Sequence, residues 1–505
     1  MDKPWFVELF SRAHSASNSL DERTLMSLQD ARPVSSKVGV VTLTAMVVGT
    51  MVGGGVFNLP ALFAEETGVV GTLSAWAIAG FGMLTLAFVF QRLAVRKPAL
   101  DSGIYAYAKA GFGEYAGFLS AVGYWAGACA ALAFFWILIM STLGQVFPEL
   151  GEGDTVWAIV ASTVLLWVVH LLIRRGMKEA ASLNRVVTAA KIVPILVFLV
   201  ICAVLLDPQV FVDNLWADGA DVGAFGDQIR GTMLATVFVF LGVEAASIFS
   251  RHARTRKDVG RATVYGFLGV LAVFASVTVV SYGILPRAEI AALAQPSMAG
   301  ILQAAVGGWG AVLVSVGLVV SVVGAYIALS IAAGETLFAA AKDRDLPRFL
   351  ARANARDVPV PAMFLTTALV QVVLVVTLFS ADALDFALEL TAGLTLIPFL
   401  FVAAYALRLR LTGETYEGAS RSVRRTDLVI AVIAVIYTLG LIVAAGLTYV
   451  LLSCVVFVPA TILFVMTRRE QQRRIFSATE RVVFALVVVG AVAGVQGLAA
   501  GWITI

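Results

Sequence analysis

The stretch Val47-Val48-Gly49-Thr50-Met51-Val52-Gly53-Gly54-Gly55-Val56-Phe57-Asn58-Leu59-Pro60 decides the fold. It lies in an apolar segment running from about Val38 to Phe63, long enough to cross a membrane as one helix. Its middle holds the residues least suited to a helix, since each glycine costs roughly 1 kcal/mol relative to alanine. In lipid, every backbone group released by unwinding needs a partner, so a break survives where protein buries it or where it lines a polar cavity. A helix interrupted near the bilayer midplane is a means by which secondary transporters hold a small charged solute.

Working outward, the 505 residues are 60% hydrophobic and only 14% charged, with a mean hydropathy of +0.92. Apolar runs long enough to span a ~30 Å hydrocarbon core recur along the chain and predict about 13 crossings. The last three are the hardest to separate, because Ala444 to Leu447 leaves almost no loop between two of them. The composition thus predicts an all-α polytopic membrane protein. No apolar signal-peptide core precedes the first span, and Met1 to Lys37 reads as a cytoplasmic tail.

With the N-terminus inside, alternate loops collect nearly all the cations. Examples are Arg92, Arg96, Lys97 and Lys109, then Arg251 to Arg261, then Lys342 to Arg356, then Arg468 to Arg481. The opposite loops hold acids such as Glu65, Glu66, Asp207, Asp213 and Asp227, with Arg230 and Arg287 as their clear cations. This positive-inside asymmetry orients the chain in an inner membrane, and an odd number of spans places Ile505 outside. The net charge of +3 therefore reflects topology, not nucleic-acid binding, and the basic inner loops suit contact with anionic membrane lipid. Cys129, Cys202 and Cys454 lie scattered within spans; their spacing suits neither a disulfide nor a metal site. No cluster of nucleophiles or metal ligands is apparent, which argues against an enzyme, and no cofactor or metal is expected. No sizeable soluble domain is seen, which argues against a transporter-like sensor.

Span six repeats the irregularity of span one. Phe240-Leu241-Gly242-Val243-Glu244-Ala245-Ala246-Ser247 places small residues and an acid inside an otherwise apolar helix. Two interrupted helices five spans apart are what an inverted repeat of five helices gives, and the odd offset reverses the second unit. The chain then divides into a tail (1–37), a first five-helix repeat (38–206), a second (228–410) and additional C-terminal helices (427–505).

At the first break, amides of Gly53, Gly54 and Gly55 at the start of the outer half-helix suit a carboxylate, while carbonyls near Met51 suit an ammonium group. Close helix packing through small residues is the alternative use of such glycines. Glu244 lies mid-span, where an acid is costly and so usually functional: it pairs a substrate cation, carries a proton, or bonds unwound backbone. Lys191, about two turns into span five, either snorkels to the interface or places an ammonium inside the protein. Glu335, near the inner end of its span beside Lys342, reads as structural. Tyr124, Trp125, Phe238 and Tyr326 are aromatic candidates for a pocket wall, with a cation–π contribution to a cationic ligand.

The first-span stretch resembles the first-helix signature of the amino acid–polyamine–organocation superfamily. Ser102-Gly103-Ile104-Tyr105-Ala106-Tyr107, Phe240 to Ser247, and Ala341-Lys342-Asp343-Arg344-Asp345-Leu346-Pro347 followed by Val358-Pro359 resemble three further motifs of that family, in order. Together they extend from about Val38 to Arg410, and the subgroup most resembled is the basic amino acid/polyamine antiporters, notably arginine/ornithine exchangers. The resemblance implies a five-plus-five inverted repeat with helices one and six broken, and alternating access. By position it implies that Gly54 and Gly55 amides hold the substrate carboxylate, and that carbonyls of Met51, Phe238 and Leu241 hold its α-amine. Tyr124 matches a pocket tyrosine, Glu244 an acid linked to gating or pH response, and Lys191 a lysine standing at a former sodium site. Relative to the arginine/agmatine branch, Phe238 and Leu329 replace pocket tryptophans, Gly54 a serine and Leu132 an asparagine, which fits the arginine/ornithine branch better. The implied activity is sodium-independent exchange of cationic amino acids, arginine for ornithine first, lysine or a diamine next. Proton-coupled amino acid symport is the second mechanism on the same fold, and a homodimer is among the expected partnerships.

Overall fold

The computed structural model describes residues 39–100, 104–175, 180–217, 222–243 and 256–503. Among these, helices and turns account for all regular structure, and no strand occurs. The first membrane helix is in two pieces, α1 (Val40–Met51) and α2 (Leu59–Glu66), joined by a 3₁₀ turn over Gly55–Phe57. There follow α3 (Val69–Arg96), the short α4 (Ile104–Phe112), α5 (Glu114–Gly144), α6 (Val156–Arg174) and α7 (Ala180–Leu205). After the short α8 (Pro208–Asp213), α9 (Val222–Val239) ends in a turn in which Gly242 takes φ 103°. The second half comprises α10 (Arg256–Ser281), the connector helices α11 (Arg287–Ala291) and α12 (Ser297–Val306), α13 (Gly308–Lys342), α14 (Val360–Val376) and α15 (Ala383–Thr412). The last helices are α16 (Arg421–Glu470) and α17 (Ala478–Ala500). Among the described residues, 9 helices are long and apolar enough to cross a membrane.

Packing separates these helices into two groups. In one, α1 lies against α10, α3 against both α9 and α10, and α2 against α9. In the other, α5 packs on α13 and α14, α6 on α14, and α13 on α14. The pairs α3–α10, α5–α13 and α6–α14 each join a helix to the one five spans later, the pairing a five-helix inverted repeat produces. The core follows from composition: α5 buries nearly its whole surface through alanines, glycines and aromatics, as a helix apolar on every side must.

α16 runs for 50 residues, which at 1.5 Å per residue is about 75 Å, far more than one crossing needs. The explanation is Gly446, whose φ of 76° and ψ of 176° interrupt the helix without a loop. That conformation belongs essentially to glycine. The absence of a loop between Ala444 and Leu447 is thus matched by a kink at one residue. The two arms of α16 are fastened to different neighbours. The first arm lies on α3, where the Tyr437 ring covers Gly82. Near its start, buried Asp427 receives Arg96 at 2.6 Å, Arg92 at 3.3 Å and the Tyr416 hydroxyl at 3.1 Å. The second arm and α17 close on α5. Tyr115 bonds Thr461 at 3.0 Å, its ring meets Phe464, Phe476 and Phe484, and Glu480 accepts from the Tyr115 amide at 3.0 Å.

Candidate functional site: the break in the first helix

α1 stops where Val52 turns to an extended conformation (ψ 92°), its amide still bonded to Val48 O at 2.9 Å. The next carbonyl, that of Gly49, would have accepted from Gly53 had the helix continued. It accepts instead from Lys191 Nζ on α7 at 3.2 Å. Lys191 is only 7% exposed, so its ammonium lies inside the protein and does not snorkel. Among the described residues it meets no carboxylate. A carbonyl orphaned in an apolar interior thus gains a charged donor.

Beyond the break, Phe57 N bonds Gly54 O at 3.2 Å and Asn58 N bonds Gly55 O at 3.1 Å, starting the path into α2. The amides of Gly53, Gly54 and Gly55 donate to no acceptor among the described residues. Gly54 and Gly55 are buried, and an unmet buried donor costs about 1–3 kcal/mol. The arrangement therefore offers a small anion a row of amide hydrogens at the head of a helix.

The walls come from three other helices. A methyl group on Gly54 would stand 2.9 Å from Val322 Cγ2 on α13 and 3.0 Å from Leu138 Cδ2 on α5. One on Gly55 would stand 2.9 Å from both Phe238 and Val239 on α9, and Gly53 faces Phe135 on α5 at 3.6 Å. The Phe238 ring packs on Phe134 with centroids 4.6 Å apart. The glycines therefore serve close approach as well as backbone conformation.

The structure brings together Gly53, Gly54, Gly55 and Phe238, and it joins Lys191 to the α1 side of the same break through Gly49. Met51 is buried at the end of α1. The Phe238 carbonyl accepts from Leu241 N at 3.2 Å in the turn that ends α9, with Leu241 partly buried beside it. Leu329 shares a face of α13 with Val322 and Tyr326, two turns past Val322, and Tyr326 packs on Trp136 with centroids 4.8 Å apart. Tyr124 lies on α5, about 16 Å along the axis from Phe135 at 1.5 Å per residue, and packs against the core there. Glu244 lies outside the described residues. Phe134, Phe135, Leu138, Val239 and Val322 escape sequence reading, because they are ordinary apolar residues in continuous apolar helices.

A family model for amino acid permeases matches residues 38–488. The chain belongs to the amino acid permease family. Among similar permeases, an arginine/ornithine antiporter of Pseudomonas aeruginosa is 48% identical over 478 residues, 93% of this chain and 99% of that protein. An L-lysine transport protein of Corynebacterium glutamicum is 38% identical over 487 residues, 94% of this chain and 97% of that protein. An arginine/ornithine antiporter of Latilactobacillus sakei is 32% identical over 475 residues, covering 93% and 99% respectively. As a permease, the chain is a multi-pass membrane transporter, and amino acids are the solutes its relatives handle.

Proposed function

We propose that this permease is a sodium-independent antiporter exchanging cationic amino acids, arginine for ornithine first, with lysine or a diamine as further substrates. The observation behind it is the break itself: three adjacent unmet amides lie in a stretch packed against Phe135 and Phe238, with a lysine on the carbonyl side. The amides of Gly53 to Gly55 take the substrate carboxylate. The carbonyls of Met51, Phe238 and Leu241 take its α-ammonium. Tyr124 and Leu329 bound the space for the side chain, and Glu244 answers the substrate's charge or the pH. The arginine/ornithine antiporters of Pseudomonas and Latilactobacillus support arginine and ornithine, and the L-lysine transport protein of Corynebacterium supports lysine. Lys191 on Gly49 O places a fixed positive charge where a coupling cation would otherwise neutralise the orphan carbonyl, which supports sodium independence. The same buried ammonium favours a second reading, proton-coupled symport, in which Lys191 releases its proton during the cycle.

In this reading the chain crosses the inner membrane 13 times, counting α1 with α2, α7, α9 and the two arms of α16 beside the other long helices. Residues 1–37 are cytoplasmic, 38–206 and 228–410 form the two repeats, 427–505 adds the final helices, and Ile505 faces outward. The exposed apolar belt along α6, α16 and α17 meets lipid or a second copy in a homodimer. The deciding experiment is labelled arginine uptake into sodium-free proteoliposomes loaded with ornithine or with buffer alone. Uptake that requires internal ornithine is the expected result. Uptake into empty vesicles driven by an inward proton gradient selects the symport reading.

A further inference from the structure

We propose that Ser297, with Arg287, is a positioning residue for the carboxylate end of the substrate: the connector between α10 and α13 holds the outer half-helix α2 at both ends and so sets the direction of the Gly54 and Gly55 amides. This rests on the reading of the break as a carboxylate site.

α2 is eight residues long, too short to persist as a helix without outside support. Its first amides need a cap. Asn58, immediately before it, is a capping residue by type, but capping requires an extended backbone. Asn58 instead has φ −102° and ψ −15°, since the chain enters α2 directly from the 3₁₀ turn. Among the described residues, its side chain makes no capping bond and its buried Oδ1 has no partner.

Ser297, wholly buried at the head of α12, performs the capping from 236 positions away. Its hydroxyl accepts from Ala61 N at 3.2 Å and donates towards Asn58 O at 3.2 Å, with Phe57 O at 3.4 Å. Ser297 is itself fixed, its amide bonded to Gln295 Oε1 at 3.0 Å, while Gln295 O accepts from Ser141 of α5 at 2.9 Å.

The other end of α2 is held from the same connector. Arg287 Nη1 donates to Ala64 O at 2.9 Å, and the Tyr282 hydroxyl donates to Thr67 O at 2.7 Å. Asn214 in turn accepts from the Arg287 amide at 2.8 Å. A displacement of α2 reaches the substrate amides without slack, because Asn58 N and Phe57 N are bonded to Gly55 O and Gly54 O. The clamp thus acts on the carboxylate of the substrate and not on its side chain.

The test compares arginine with agmatine, its decarboxylated analogue, as competitors of labelled arginine exchange by the reconstituted full chain. For Ser297→Ala, the half-saturating arginine concentration is expected to rise about fivefold or more, as loss of a cap of ~1 kcal/mol implies. Agmatine inhibition should stay within about twofold, and Ser297→Thr, which keeps the hydroxyl, should restore arginine affinity. Arg287→Gln, which leaves the hydroxyl in place, should shift the same ratio in the same direction. Equal weakening of both competitors, or of neither, overturns the positioning role while wild-type preference for arginine over agmatine upholds the carboxylate site. A wild-type protein that does not distinguish the two overturns both.

Discussion

The Lys191 ammonium stands 3.2 Å from the carbonyl oxygen of Gly49, the first carbonyl left without an amide where the first helix breaks. One side chain thereby compensates the α1 side of the break, while the amides of Gly53, Gly54 and Gly55 on the α2 side donate to no acceptor among the described residues. The two sides differ in kind: the protein meets one, and among the described residues it leaves the other unmet.

Lys191→Met removes both the donor and the charge from that carbonyl. Exchange should fall by about tenfold or more, in line with ~1.5–3 kcal/mol for a charged hydrogen bond. The check is initial-rate exchange in proteoliposomes at matched protein density. The wild type should run at equal rates in sodium and in choline buffer; a sodium-stimulated wild type would remove the role given to this lysine.

A methyl group at Gly54 would press on Val322 and Leu138 at 2.9 Å and 3.0 Å. Overpacking of this kind costs about 1–3 kcal/mol, so Gly54→Ala should weaken arginine binding by roughly tenfold. Val322→Ala in the same chain should recover part of that loss. Such non-additivity is expected of residues in direct contact, and binding measured by calorimetry on all three variants tests it.

Asp427 fastens the first arm of α16 to α3 through Arg96 at 2.6 Å. Arg92 has a side chain 44% exposed and contributes little, owing to solvent screening. Asp427→Asn leaves the largely buried Arg96 without its counter-charge, a loss of about 3–5 kcal/mol for a buried pair. The apparent melting temperature of the detergent-solubilised protein should drop by several degrees, while the half-saturating arginine concentration stays unchanged.

Gly446 marks the turning point between two membrane crossings if the chain ends outside. Leu447, 65% exposed, lies next to it. In a chain lacking Cys454, Leu447→Cys should react with a membrane-impermeant maleimide added to intact cells. Labelling only after permeabilisation would reverse the assigned orientation. Gly446→Ala should lower thermal stability, because its backbone conformation costs a residue with a side chain about 1–3 kcal/mol.

The glycine run from Gly53 to Gly55 was readable as a break because a helix in lipid tolerates such residues only where something compensates them. Length and hydropathy likewise announced the crossings, and the lysine in an apolar run at position 191 was conspicuous as a charge without surroundings. What it bonds to was not readable: Gly49 lies 142 positions away. The single kink at Gly446 was also hidden, since a glycine among apolar residues gives no sign of its φ.

By itself, then, the sequence determined where the chain must cross the membrane and where its first helix must fail, because burial in lipid and helix propensity act on local runs of residues. Tertiary structure alone decided that Phe135, Leu138, Val322 and Phe238 close around the break, that Lys191 serves Gly49, and that Ser297 caps α2 in place of Asn58. These are meetings of residues far apart in the chain on helices apolar over most of their surface. There, periodicity leaves the facing residue undefined, and only packing selects it.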